Sequence, residues 1–250
     1  SLMIICMIDV HLHLSSDKYD GMRDDIIERS RNMGVQGLID SALSPDEVKI
    51  SLILSARFKN YVYTSTGATP YILDKSYIMG QKKLIEDNIE KIVAVGEVGL
   101  DFYRSKEKDT QRVNFEMFID IALTYDKPLV IHSRSAGEYA LNMLFQAGAE
   151  LVVMHAFDGR ASLVRRGVER GYYFTVPPRL SRQKEKMIRV LPLENMLLES
   201  DAPALAPCKG DVNYPWNIGI SAENVARIKD LDIRDVIAIT TENAREIFKI

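Results

Sequence analysis

The sequence is poor in cysteine, in histidine and in long apolar runs. Its 250 residues include only two cysteines, Cys6 and Cys208, which are too few and too far apart for a disulfide framework or a CxxC site. This usage fits a reducing cytoplasm, where we expect the protein to reside. No run of 18 uncharged apolar residues occurs, so the sequence predicts no membrane-spanning helix.

The chain also has no large excess of positive or of negative charge. The formal net charge is −3 at pH 7, with 46% hydrophobic and 27% charged residues. That balance excludes a disordered chain. It also excludes a surface that attracts nucleic acid everywhere, because such attraction needs clustered lysine and arginine. A polyanion would have to be captured at one place, where bound divalent ions can reverse the local charge.

Short apolar segments alternate with amphipathic segments along the whole chain. The apolar segments have the nearly continuous character of buried parallel strands. They are Ile4–Asp9, Gln36–Ser41, Val62–Ala68, Val93–Val98, Pro128–His132, Leu151–His155, Tyr172–Thr175 and Met196–Leu198. Apolar residues at three- and four-residue spacing predict helices between them. The clearest are Asp24–Met33, Asp46–Phe58, Lys75–Ile89, Asp109–Tyr125 and Ala136–Ala147.

This alternation predicts a parallel α/β sheet, because each return crossover needs a helix's worth of chain. The alternatives are a doubly wound open sheet and a closed (β/α)8 TIM barrel. An open sheet concentrates polar groups near one switch point, whereas a barrel collects them from many strands around one rim. Here the polar residues follow many strands, which favours the barrel. We predict a single domain over residues 1–250, with Ser1 and Leu2 as an expression remnant ahead of Met3.

The positions of the four histidines are the strongest signal. His11, His13, His132 and His155 each lie at the C-terminal end of a predicted strand. His11 and His13 are two residues apart, so in an extended chain both side chains point to one face. An HxH pair alone is weak evidence, and one histidine near a barrel mouth is more often a neutral, hydrogen-bonded side chain. Four at one rim favour a metal site.

Carboxylates follow two of the predicted strands. Glu97 comes directly after the apolar run of the fourth strand, in VAVGEVGLD. Burial of its carboxylate there needs a cation or a hydrogen-bond partner. The alternative to a metal is an ion pair with an arginine. Glu199 and Asp201 lie two residues apart in LLESDAP. Asp201 is nearer the rim, and we expect it to bind metal and to orient water. Glu199 is expected to orient a ligating histidine.

These side chains form one expected metal-binding set. Its members are His11, His13, Glu97, His132, His155 and Asp201. Glu97 and Asp201 are also the expected catalytic residues, because one carboxylate can bridge two ions while another orients the attacking water.

The sequence motifs in these segments resemble those of the TatD family of metal-dependent deoxyribonucleases and related hydrolases. The blocks IDVHLHL, GEVGLDFYR, PLVIHSR, HAFDG, LLESDAP and TENAREIF follow the family's order and together cover essentially the whole chain. The resemblance implies a distorted (β/α)8 barrel of the metal-dependent hydrolase type, with one or two divalent ions at its C-terminal rim. The implied ligands are His11, His13, Glu97 and Asp201 for one ion, and Glu97, His132 and His155 for the other.

The resemblance also implies a cofactor and a substrate. The ions are Mg²⁺, Mn²⁺ or Zn²⁺: the family implies activity with Mg²⁺, whereas nitrogen-rich ligation favours the transition ions in affinity. The implied reaction is hydrolysis of phosphodiester bonds in DNA, trimmed from an end. Two other functions stay open, a metallohydrolase acting on a small ester, amide or phosphate compound, and a metal-binding scaffold without turnover. Glu97 in the strand-four bridging position disfavours enzymes with a carboxylated lysine.

Three residues are candidates for substrate binding. Arg134, two residues after His132, either holds a phosphate oxygen or pairs with an acidic residue at a helix start. Arg104, next to Tyr103, is expected to guide substrate. Trp216, the single tryptophan, either stacks on a base or covers apolar surface as a loop anchor.

Two segments depart from the family's pattern. Where many members carry a histidine-containing GxHP block after strand three, residues 67–71 here read GATPY, with Thr69 in the histidine's place. After strand eight, residues 214–220 replace an Arg-Asn-Glu-Pro-like run, and Asn217 is the candidate counterpart. Both departures concern substrate contacts and leave the metal set intact. We expect no obligate protein partner, and the lack of a sustained heptad is compatible with a monomer.

Overall fold

The computed structural model describes residues 6–250. The assignment of Ser1 and Leu2 as an expression remnant, and the first residues of the strand predicted from Ile4, lie outside the described residues. Across the described range, no helix is both long enough and apolar enough to cross a membrane.

Within residues 6–250, eight strands form one parallel sheet in which each strand pairs with the next along the chain. They are β1 (Met7–Leu12), β2 (Val35–Ala42), β3 (Val62–Thr66), β4 (Ile92–Asp101), β5 (Leu129–Arg134), β6 (Val152–Met154), β7 (Tyr173–Val176) and β8 (Met196–Leu198). The predicted barrel is confirmed: the sheet curls into a nearly closed (β/α)8 barrel.

Helices connect the strands and cover the outside of the barrel. They are α1 (Arg23–Asn32), α2 (Pro45–Arg57), α3 (Lys75–Asp87), α4 (Lys108–Thr124), α5 (Gly137–Ala147), α6 (Ala161–Val168), α7 (Arg182–Val190), α8 (Ile218–Lys229) and α9 (Ile233–Phe248). Local sequence sets several of their ends. Ser44 caps α2 by accepting the N–H of Glu47, and α5 ends at Gly148, whose φ of 70° favours glycine.

The barrel closes between its first and last strands. The N–H of Asp201 donates to the carbonyl oxygen of His11 at 2.9 Å, and the N–H of His13 donates across the same junction at 2.7 Å. Beneath them, the buried carboxylate of Asp9 accepts the N–H of Ser200 at 2.9 Å and its hydroxyl at 2.5 Å. This junction fixes Asp201 beside His11 at the end of β1 and His13 directly after it.

Two apolar clusters fill the inside and the outside of the barrel. The inner cluster contains residues from strands that are far apart in the sheet order, so they meet in the barrel interior. Its strand members are Ile8, Val10, Ile39, Ala94, Val130, Val153 and Leu197. Ile247 and Phe248 of α9 join this cluster and cover the N-terminal end of the barrel. The outer cluster packs the opposite strand faces against the helices.

A register shift in β1 redirects its C-terminal half. Val10 packs in the inner cluster, yet Leu12, two residues later, packs in the outer one. Regular alternation would put both on one face. The pairing of β1 with β2 shifts between Asp9 and Leu12. Because an irregularity of this kind re-aims the neighbouring side chains, His11 points into the barrel mouth.

A second register shift lies in β4. Val95 and Val98, three residues apart, both pack in the outer cluster, and the pairing with β5 shifts between Gly96 and Val98. The shift turns the side chain of Glu97 inward. The strand was expected to end at Val98, directly after Glu97, but β4 continues to Asp101, because pairing with β5 resumes beyond the irregularity.

Candidate metal centre

The six predicted ligands lie together at the C-terminal rim of the barrel. Their side chains come from β1, β4 and β5 and from the segments that directly follow β1, β6 and β8. Three groups have donor atoms that all lie within 4.8 Å of one another. They are His11, His13 and Glu97; Glu97, His132 and His155; and His11, His155 and Asp201. The geometry therefore suits a cation in each group, and ligation itself stays a prediction.

Glu97 faces two histidine groups with its two carboxylate oxygens. Its Oε2 lies 3.1 Å from Nε2 of His11 and 3.6 Å from Nε2 of His13. Its Oε1 lies 3.0 Å from Nδ1 of His132. A carboxylate placed in this way has the geometry of a bridge between two cations.

Asp201 lies on the opposite side of the same space. Its Oδ1 is 3.6 Å from Nε2 of His11, 3.5 Å from Nε2 of His13 and 3.9 Å from Nε2 of His155. Its φ of 54° is in the left-handed region, which is costly for a residue other than glycine and is common at functional sites. The junction bond to the carbonyl of His11 holds the residue in this conformation.

Oxygen acceptors outside the centre hold the second nitrogen of two histidines. Nδ1 of His13 lies 2.9 Å from the carbonyl oxygen of Ser41. Nδ1 of His155 lies 2.7 Å from Oε2 of Glu199, whose carboxylate is fully buried. Such bonds fix the ring orientation and leave the other nitrogen facing inward. Glu199 thus lies where its expected orienting role requires.

Asp101 is a residue of the centre that the sequence analysis did not single out. Its fully buried carboxylate places Oδ2 3.1 Å from Nε2 of His132. Its Oδ1 accepts the N–H groups of Tyr103 at 3.1 Å and Arg104 at 2.8 Å. One carboxylate thus connects His132, a predicted ligand, to the loop after β4. The available signal was an acid at a strand end in GLD, four residues after Glu97.

Neighbouring charges dominate the electrostatics of the centre. Burial acts to lower the pKa of His13, but the hydrogen bond with Asp201 and the charges of Glu97 and Asp201 raise it to about 10. For His132, burial acts in the same direction, and Asp101 and Glu97 outweigh it to give a pKa of about 10. Without metal, both rings therefore carry a proton at neutral pH, held by carboxylates.

His11 differs from His13 and His132, because its pKa is lowered rather than raised. Its surroundings test whether a cation fits the centre. Burial, together with the charge of His155, lowers the pKa of His11; the two rings stack with centroids 3.8 Å apart. Among the described residues, none makes a hydrogen bond to the buried Nε2 of His11. A neutral nitrogen that makes no hydrogen bond and lies 3.1 Å from Oε2 of Glu97 fits a bound cation. Imidazole and carboxylate donors suit Zn²⁺ or Mn²⁺, and carboxylates also suit Mg²⁺.

Glycines let the backbone approach closely around Glu97. A Cβ atom on Gly67 would lie 2.1 Å from the carbonyl oxygen of Glu97, which accepts the N–H of Ala68 at 2.9 Å. Gly99 has a φ of 141°, and a Cβ there would lie 2.0 Å from the carbonyl oxygen of His132. The position directly after β3 and the position within β4 therefore require glycine.

The predicted substrate-binding arginines lie at the rim. Arg134 and Arg104 are both exposed. The guanidinium of Arg134 lies 4.0 Å from the ring centroid of Tyr103, and that of Arg104 lies 4.6 Å from the centroid of Tyr71. Arg134 is the last residue of β5 and Arg104 follows β4, two strands that contribute to the centre. Their contact with substrate stays a prediction.

Trp216 and Asn217 are engaged in packing of the loop after β8. The Trp216 ring stacks on Tyr214 with centroids 4.7 Å apart, and the guanidinium of Arg29 lies 4.3 Å from the Trp216 ring centroid. The side chain of Asn217 donates to Oδ1 of Asn213, a buried residue, at 2.7 Å. These contacts favour the loop-anchor interpretation of Trp216.

Two further positions affect the rim. Thr69, in the place of the family's histidine, is 8% exposed, and its N–H donates to the Tyr77 hydroxyl at 2.9 Å.

Lys184 of α7 donates to the carbonyl oxygen of Phe157 at 2.9 Å. Burial lowers the pKa of Lys184 to about 8, although Glu199 and other nearby carboxylates act to raise it. The sequence carried no signal for Lys184, because its partner lies on a distant loop.

Known proteins are similar to this chain in both sequence and fold. A human deoxyribonuclease, TATDN3, is 36% identical over 97% of this chain and 94% of its own length. The uncharacterised metal-dependent hydrolase YabD of Bacillus subtilis is 28% identical over 98% of this chain and 99% of its own.

Solved structures agree with this likeness at the level of the fold. The TatD homologue YJJV of Escherichia coli superposes with a TM-score of 0.91 at 24% identity, over 99% of this chain and 100% of that one. A TatD family hydrolase of Entamoeba histolytica gives a TM-score of 0.87 at 20% identity, over 97% of each chain. The family described as TatD related DNase matches residues 8–249. This chain therefore belongs to the TatD family of metal-dependent hydrolases.

Proposed function

We propose that this chain is a metal-dependent deoxyribonuclease that hydrolyses phosphodiester bonds. The observation that carries the proposal is the buried Nε2 of His11, which makes no hydrogen bond among the described residues and faces Glu97 at 3.1 Å and Asp201 at 3.6 Å. The human relative, at 36% identity, is named a deoxyribonuclease. The first fact favours a bound cation, and the second favours phosphodiester hydrolysis over a scaffold without turnover.

The proposed roles follow from the contacts of the residues. Bound divalent ions polarise phosphate oxygens and lower the pKa of water. Glu97 offers one oxygen to each histidine group. Burial acts to raise the pKa of Asp201, but the charge of His155 and the hydrogen bond from His13 lower it. Asp201 is therefore an ionised carboxylate, which orients the attacking water and accepts its proton.

The remaining proposals concern the cofactor and the setting. One or two ions of Mg²⁺, Mn²⁺ or Zn²⁺ are the proposed cofactors, since the donor set suits each of them. All six proposed ligands come from this one chain, which supports activity as a monomer and as one domain over residues 1–250 without an obligate protein partner. The two cysteines among 250 residues support a cytoplasmic location.

The proposal is tested by comparing substrates and metals. Purified protein is incubated with Mg²⁺, Mn²⁺ or Zn²⁺ and with 3′-labelled single-stranded DNA or a panel of small esters. We expect metal-dependent, stepwise shortening of the DNA that a chelator abolishes. Turnover of small esters with intact DNA would indicate a small-molecule metallohydrolase instead. Inactivity on every substrate despite bound metal would indicate a scaffold.

A further inference from the structure

A groove with an apolar floor and a positive charge lies on the outside of the barrel, away from the metal centre. It runs beside α2 and the N-terminal ends of β3 and β4, with a cavity of about 680 Å³. We call it the basic groove and define it by Lys49, Leu52, Ile53, Lys59, Lys91 and Val93. The described residues that line it include three lysines and no carboxylate. Within residues 6–250, none of the three lysines makes an ion pair.

A second groove, of opposite charge, lies between α4 and α5, with a cavity of about 420 Å³. We call it the acidic groove and define it by Asp109, Val113, Glu116, Asp120, Leu123 and Met143. All but the last lie at three- and four-residue spacing on α4, so they form one stripe along that helix. Its one cation, Arg112, lies 3.7 Å from Asp109. Glu116 and Asp120 make no ion pair with any described residue.

Each groove has an exposed aliphatic side chain beside its cavity. Ile53 of the basic groove is 56% exposed, and Val113 of the acidic groove is 66% exposed. Among residues 6–250, these are the two most exposed large aliphatic side chains. Covering apolar surface of this kind is favourable, and side chains that anchor an interface insert into cavities of the partner. The two surfaces are therefore complementary in shape as well as in charge.

The positions of the grooves around the barrel determine the kind of contact that they can make. α2 follows β2 and α4 follows β4 in the sheet of eight strands, and α3 lies between the two helices. The grooves therefore face different directions, and one copy of the chain cannot pair them with each other. Two copies can pair them, and each copy then still presents one free groove. Contacts of this head-to-tail kind build rings or filaments.

We propose that the basic groove of one copy binds the acidic groove of a second copy of this chain. The lysines of the first then face Glu116 and Asp120 of the second, while Ile53 and Val113 are covered. This inference goes beyond the proposed function and does not depend on it. Neither groove contains a proposed metal ligand, so each copy keeps a complete centre of its own.

The first test is the mass of the purified full-length protein in solution, measured by sedimentation at concentrations up to about 1 mM, where even weak contacts form. We expect the average mass to rise with concentration. It should fall again as salt is raised from about 0.05 M to about 0.5 M, because salt screens exposed charges. A monomer at every concentration, or an association that salt does not weaken, would overturn the proposal.

Reversal of charge identifies the two surfaces. The double variant Lys49→Glu with Lys59→Glu makes the basic groove negative, and Glu116→Lys with Asp120→Lys makes the acidic groove positive. Either variant alone should raise the dissociation constant by about 10-fold or more, since like charges then face each other. Mixed in equal amounts, the two variants should associate again, because each reversed groove meets a groove of opposite charge. A mixture that stays monomeric, while both variants have native circular dichroism, would show that these grooves are not partners.

Val113→Ala tests the apolar part of the contact without a change in charge. It removes two methyl groups at an exposed position and should raise the dissociation constant by about 3- to 10-fold. An unchanged constant would contradict insertion of this side chain into the basic groove.

The matched control for the charge reversals is Lys186→Glu with Arg189→Glu. Both residues are exposed on α7, outside the two grooves, and neither makes an ion pair within the described chain. The control changes the net charge as much as the variant of the basic groove does, and association should be unaffected. An equal loss of association in the control would assign the effect to net charge and overturn the pairing of the grooves.

Discussion

At the scale of single residues, one rule predicted most of the proposed centre: a polar side chain at the end of an apolar strand is costly without a partner. His132 and His155 follow regular alternation along β5 and β6, so their inward direction was predictable. Asp101 carried the same signal at the end of its strand but was not singled out. Lys184 was not predictable, because its contact is with a residue distant in sequence. Such contacts depend on the folded geometry rather than on local pattern.

Substitution of single members of the centre tests their roles. We expect His132→Ala and Asp201→Asn each to lower kcat/KM for DNA by about 10²- to 10⁴-fold, the usual contribution of a positioned acid–base group. The circular dichroism should stay native. The first variant removes a proposed ligand, and the second removes the charge that orients water.

Asp230→Asn is the matched control for Asp201→Asn. Asp230 has nearly the same backbone conformation, with a φ of 53° against 54°, but lies exposed at the end of α8. The control should retain full activity. Full activity in both His132→Ala and Asp201→Asn would show that the site is assigned wrongly.

At the scale of strands and helices, the apolar pattern predicted the order of the elements. Even the three-residue strand β8 was predicted with its observed bounds, Met196–Leu198. The register shifts in β1 and β4 were not predictable, because they arise from pairing with neighbouring strands. As a result, the sequence ended the strand at Val98, although β4 continues to Asp101 and the direction of Glu97 depends on the irregularity.

The contact between β3 and β4 is tested by Gly67→Ala. The added Cβ would lie 2.1 Å from the carbonyl oxygen of Glu97, so the two strands must separate. We expect the free energy of unfolding of the metal-free protein, prepared with a chelator and measured in urea, to fall by about 1–3 kcal/mol, as for other overpacked sites. Metal affinity should fall as well, because Glu97 is displaced.

Gly80→Ala provides the comparison. Gly80 is exposed within α3, and a Cβ there would meet nothing within 4 Å. Alanine should stabilise the protein by about 0.5–1 kcal/mol through helix propensity. If Gly67→Ala were as stable as Gly80→Ala, the close approach of β3 to Glu97 would not constrain the fold.

At the scale of the whole molecule, stability and metal binding should depend on pH in opposite ways. In the chelated protein, His13 and His132 have pKa values of about 10, above the ordinary 6.5. Their stabilising effect is complete below pH 6.5 and is lost as the pH rises towards 10. A metal ion needs neutral imidazoles, so its affinity rises over the same interval.

We therefore expect the gap in melting temperature between metal-loaded and chelated protein to widen as the pH rises from 6.5 towards 10. Calorimetric titration with metal at neutral pH, in buffers of different ionisation enthalpy, should detect release of the protons of His13 and His132. Metal uptake without proton release would show that the two rings are already neutral in the empty pocket.

The junction between β1 and the segment after β8 has a consequence for synthesis of the protein. The bond from Ser200 to Asp9 joins residues 191 positions apart, and Asp201 follows directly. A chain still growing on the ribosome has its histidine pair early but lacks the acid that completes the pocket until most of the message has been translated. The proposed centre therefore assembles only after synthesis has passed Asp201 and the two distant segments have met.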